Sequence, residues 1–166
     1  MKELNIKNEK IILQKEIEDW VTTAKKHFVT TPCELKEQVL FLTNFRKAIY
    51  EDLNQLQHKA LIIESAEILQ KEYPKINKWK WHPEQTSHPD EADLMGSTED
   101  DTIIISAEVT TSMLPVGTID TRMKKTLDRL EGKPGEKFYF VRSKEMHKRA
   151  ETKILNNNWH IKSRLL

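Results

Sequence analysis

Three acidic residues stand where a carboxylate is hardest to justify structurally. Asp93 falls between Ala92 and Leu94 in a strand-like stretch, and Glu108 lies near the end of the apolar run Ile103-Ile-Ile-Ser-Ala-Glu-Val-Thr110. Glu64 interrupts the helical run Ile62-Ile-Glu-Ser-Ala66. A buried carboxylate without a partner is costly, so such groups coordinate a metal or meet cations. Residues 91–110 read as a hairpin that can bring Asp93 and Glu108 side by side at a sheet edge. Oxygen ligands converging there, with water completing the shell, suit Mg²⁺ or Mn²⁺. The competing account has Glu108 solvated or salt-bridged to Lys125 or Arg122.

The elements that must position these groups follow from hydrophobic spacing. The first 73 residues read as helix, broken at Thr31-Pro-Cys33. Leu35, Val39, Leu42, Phe45, Ile49, Leu53 and Leu56 recur in steps of three and four, with a bend expected near Gln57-His58. Alternation over 76–81, with both tryptophans inward and the lysines outward, predicts a strand. The run at 103–105 suits a central strand, and 91–95 a shorter one before an acidic turn at 96–101. Ile119, Met123, Leu127 and Leu130 share one helical face; Lys137–Val141 is a buried-type strand. Ser143 caps a helix reaching about Leu155, and Trp159–Leu166 ends the chain as a strand. An α/β domain with a mixed central sheet flanked by helices is expected over 57–166, preceded by a helical arm at 1–56.

Composition excludes several classes. The single cysteine, Cys33, supports neither a disulfide framework nor a thiolate zinc site. No apolar run is long enough to span a bilayer, and no P-loop or dinucleotide fingerprint is present. The opening Met1-Lys-Glu-Leu-Asn has mixed charge without an apolar signal core, which predicts a cytoplasmic protein. The net charge of +1 conceals two unlike halves. Residues 1–113 hold 14 Lys+Arg against 20 Asp+Glu, a net of −6; residues 114–166 hold 13 against 6, a net of +7. Arg122, Lys124, Arg142, Lys144 and Lys148 can line a phosphate-binding groove, along with Arg149 and Lys153, or form solvated helix faces. Ser112-Met-Leu-Pro-Val-Gly117 enters a helix N-terminus, where backbone N–H groups can receive a phosphate; a simple turn is the alternative. His82 and His88 bracket a loop beside the acids, either shaping the site or simply exposed.

Residues 59–166 resemble the PD-(D/E)xK, or restriction-endonuclease-like, nuclease superfamily. The resemblance rests on Pro89-Asp-Glu-Ala-Asp93, Ile105-Ser-Ala-Glu-Val-Thr110, Glu64 in the leading helix, and the order of elements. It implies a restriction-endonuclease-like core that hydrolyses phosphodiesters, in DNA by preference, with Mg²⁺ or Mn²⁺ held by Asp93, Glu108 and the Val109 carbonyl. Glu64 would bind a second ion or a metal-bound water. The family's motif lysine is replaced by Thr110, which can hold a water but carries no charge. Lys125, on the following helix, is the expected substitute. The alternative is a catalytically degenerate binding or assembly module. The apolar face at 35–56 calls for a homodimer or partner contact.

Overall fold

The computed structural model describes residues 1–27, 34–84 and 91–166. The elements run β1 (Lys2–Glu3), α1 (Ile6–His27), α2 (Leu35–Glu72), β2 (Lys78–Trp81), β3 (Leu94–Ser97), β4 (Ile103–Val109), α3 (Thr118–Glu131), β5 (Glu136–Val141), α4 (Lys144–Asn156) and β6 (Ile161–Leu165). The six strands form one mixed sheet in chain order. Pairing is antiparallel from β1 to β4 and parallel from β4 to β6, with α3 and α4 making the two crossovers.

Alternation along β5 divides the interior. Phe138 and Phe140 join Leu61, Ile62, Ala66 and Leu69 of α2, whereas Tyr139 and Val141 join Met123, Leu127 and Leu130 of α3 and Met146 of α4. The sheet is therefore covered by α1 and α2 on one side and by α3 and α4 on the other. Trp79 and Trp81 both face inward while Lys80 is exposed, as the alternation predicts. Ser143 caps α4 by accepting the Met146 amide at 3.1 Å. Gly135 sits where a Cβ would lie 2.4 Å from the Ile104 carbonyl oxygen, which lets the turn into β5 close against β4.

Four expectations change. The chain does not begin in helix: Lys2 and Glu3 pair with Trp81 and Lys80, adding an edge strand. The α2 helix continues for 38 residues through the expected bend at 57–58. It also crosses the expected boundary at residue 56, and Leu4, Ile6 and Leu13 belong to the main core, so the arm and core share one hydrophobic interior. The strand at 91–95 lies later, at Leu94–Ser97, so Asp93 stands just before β3 rather than within it. The break at 31–33 lies outside the described residues. Leu35, Val39, Leu40 and Leu42 on the first half of α2 are exposed. Among the described residues no helix is long and apolar enough to cross a membrane.

Candidate functional site

The β3–β4 register pairs Leu94 with Ala107, which brings Asp93 to the strand position beside Glu108. Alternation turns Ala107 and Val109 into the core under α2, so Glu108 points to the α3 side. The two carboxyl groups are close enough for the charge on Asp93 to act on Glu108. Glu108 is only 4% exposed, and burial pushes its carboxyl well above the usual carboxylate range; the Asp93 charge adds to the rise. Opposing it are Arg129, whose Nη2 lies 3.5 Å from Glu108 Oε1, and the charge of Lys133.

Asp93 is held from two directions. The backbone amide of Val109 donates to Oδ2 at 2.9 Å, and His58 Nε2 lies 3.4 Å from the same oxygen. His58 is 1% exposed, and its Nδ1 is buried without a hydrogen-bond partner among the described residues. Tyr139 pairs with Glu108 in the β4–β5 register, and burial raises its hydroxyl far above its ordinary value. Thr110 Oγ1 accepts the Ser112 amide at 3.3 Å. The acids thus meet a histidine from the α2 layer and an arginine from the α3 layer.

Asp93 and Glu108 are brought together as the spacing predicts, and Val109 and Thr110, which the resemblance adds, follow Glu108 at the end of β4. Glu64 is not brought to them: it is exposed on α2, with its neighbours Leu61, Ile62, Ile63, Ser65 and Ala66 turned inward. The α2 side chain that reaches Asp93 is His58, six residues earlier. Lys125 and Arg122 are exposed, and the cation that reaches Glu108 from α3 is Arg129. Ser106 Oγ donates to the Pro134 carbonyl at 2.8 Å, tying the turn after α3 to β4, and Arg129 lies in the last turn of α3. The salt bridge considered between Glu108 and Lys125 or Arg122 is therefore made by Arg129 instead.

The basic candidates divide. Arg122, Lys124, Lys144 and Lys148 are exposed, and Arg142 donates to Gln57 Oε1 at 3.3 Å. Arg149 and Lys153 clamp Asp120, at 2.7 and 3.1 Å, and lower its carboxyl far below the usual range. His82 is buried against Glu91, with Nε2 2.5 Å from Oε2; His88, with Pro89 and Asp90, lies outside the described residues. Among the described residues no group of three or more His, Cys, Asp or Glu side chains is arranged to hold a metal ion. No family model, curated protein or solved structure matches the chain.

His58 and Arg129 were hidden in the sequence for different reasons. His58 looked like one more polar residue at the supposed bend. Arg129 lies on the same flank of α3 as Arg122 and Lys125, so helical spacing selects the flank but not the turn.

Proposed function

We propose that the chain is a metal-dependent nuclease with a restriction-endonuclease-like core, hydrolysing phosphodiester bonds, in DNA by preference. The observation that carries this reading is the pairing of Asp93 with a Glu108 whose carboxyl is driven up by burial and by its neighbour. Such a pair holds excess negative charge that a divalent cation relieves. The donors are all oxygen, which fits Mg²⁺ or Mn²⁺: Asp93, Glu108 and the carbonyl of Val109 would hold it. When bound, the ion supplies an acidified water and neutralises charge developing on phosphorus.

The chain's own residues divide the remaining tasks. The Val109 amide and His58 fix the Asp93 carboxylate. Arg129 takes the place of the motif lysine absent at Thr110: a guanidinium beside the acids can leave Glu108 for a phosphate oxygen. Thr110 and Tyr139 offer hydroxyls that can orient a water. Arg122, Lys124, Lys144 and Lys148 are exposed cations for the flanking phosphates. The exposed apolar residues at the start of α2 suit a second copy or another protein, and the proposed compartment is the cytoplasm.

The test is cleavage of supercoiled plasmid with Mg²⁺ or Mn²⁺, lost in Glu108→Ala. Plasmid binding that persists without cleavage under any divalent metal sinks the catalytic reading. A second reading has its own observation: Arg129 already lies against Glu108, and a pair neutralised by arginine needs no ion. In that case the chain is a nucleic-acid-binding or assembly module, and calorimetry detects no Mn²⁺ binding.

A further inference from the structure

Between β4 and α3 the chain leaves three large apolar side chains in solvent within four residues. Met113 is 51% exposed, Leu114 56% and Val116 64%. Isolated surface hydrophobics need no explanation, but a contiguous group on an anchored loop does. The loop is tied at both ends. The Ser112 amide donates to Thr110 Oγ1, Ser143 Oγ donates to the Met113 carbonyl at 2.5 Å, and the Ile119 amide donates to the Val116 carbonyl at 3.1 Å. Gly117 turns the chain into α3 at φ 55°, a left-handed conformation that favours glycine. These bonds use the backbone and leave the side chains outward.

The surroundings say what such a tip meets. It stands beyond the carboxyl ends of parallel β4 and β5, a place where open α/β sheets bind ligands. The N-termini of α3 and α4 both adjoin it, because Gly117 and Ser143 are their caps. Asp120, in the first turn of α3, is neutralised by Arg149 and Lys153. Exposed Arg122, Arg142 and Lys144 then outweigh Glu145. An apolar tip inside a cationic rim matches a polymer with phosphates outside and flat apolar bases within. Met, Leu and Pro are among the residues that wedge between base steps.

We infer that the loop Ser112–Gly117 is a wedge that enters the base stack of a nucleic acid and selects sites where the stack is already weakened. The inference rests on the nucleic-acid reading above and narrows it to gapped, mismatched or otherwise distorted duplexes, where unstacking costs least.

The experiment compares two fluorescein-labelled DNA duplexes, one perfect and one with a central single-nucleotide gap flanked by 2-aminopurine, in Ca²⁺ buffer with the full chain. Wild type is expected to bind the gapped duplex roughly tenfold more tightly and to brighten the 2-aminopurine. The Met113→Ser/Leu114→Ser/Val116→Ser variant should bind both duplexes equally, leave the probe dark and keep the thermal melt of wild type. Undiminished preference and brightening in the variant overturn the wedge. So does a loss of self-association on light scattering with nucleic-acid binding unchanged, which would make the loop a protein contact. If wild type binds neither duplex, nor their RNA counterparts, the nucleic-acid reading fails and takes the wedge with it. If wild type binds both duplexes equally well, the wedge fails alone.

Discussion

The backbone amide of Val109 donates to Asp93 Oδ2 at 2.9 Å, so the strand that carries one acid also holds the other in place. Asp93 immediately precedes β3, and its carbonyl accepts the His82 amide at 2.9 Å. Its carboxylate is oriented by β4 and by His58. Small shifts of β4 therefore move both carboxylates together.

Glu108→Gln should stabilise the metal-free protein at neutral pH. The folded carboxyl titrates above its unfolded value of about 4.3, so its contribution is fully present below that pH. It is lost as pH rises through the folded pKa. Glutamine removes that loss and keeps a contact for Arg129. A gain on the order of 1 kcal/mol is expected by urea titration at pH 8 in EDTA, shrinking towards pH 4. Mn²⁺ should raise the melting temperature of wild type and not of the variant, through binding to the folded state alone.

Arg129→Met should lower the cleavage rate by about a hundredfold, the usual loss when one donor to developing charge is removed. Plasmid affinity should change little, since Arg122, Lys144 and Lys148 remain exposed. Arg129→Lys should recover part of the rate. Single-turnover kinetics check this, and an unchanged rate in Arg129→Met would return the role to another cation.

His58→Ala should be costly, because the ring is buried and its removal leaves both a cavity and an Asp93 with one contact fewer. A loss of about 2–4 kcal/mol is expected from the large-to-small change. His58→Gln keeps most of the volume and a donor, and should lose about half as much. Equilibrium unfolding in urea distinguishes the two.

Asp120→Asn should destabilise the contact between α3 and α4 by about 0.5–1 kcal/mol at neutral pH, since the clamp is partly exposed. The folded carboxyl titrates below its unfolded value, so the stabilisation is present above about pH 4 and fades as pH falls through the folded pKa. The gap between variant and wild type should therefore close in acid, and shrink in high salt.

The order of strands and helices from α2 onward could be read from alternation and helical spacing, because each strand has one or two clearly buried faces. Glu108 and Asp93 stood out because an acid inside an apolar run is rarely left there without a reason. Lys2–Glu3 carried no signal: two residues show no period, and the strand exists only because β2 offers it an edge. Arg129 lies one helical turn, about 6 Å, beyond the expected Lys125, an offset fixed by how far residues 110–117 carry the chain before α3 starts. Glu64 looked buried because its neighbours are; only the rotation of α2 against the sheet turns it outward and His58 inward.

From β2 onward each strand pairs with the next one in the chain. The β1–β2 pair keeps that order but spans the longest connection, joining Lys2 to Trp81 across the whole of α1 and α2. Closing so long a loop before the two helices have packed costs chain entropy that two ladder positions cannot return. Assembly should therefore run from β2 towards β6, with the first strand zipping on last. Its amides should be the first in the sheet to exchange with deuterium, opening without unfolding the strands that carry the acids.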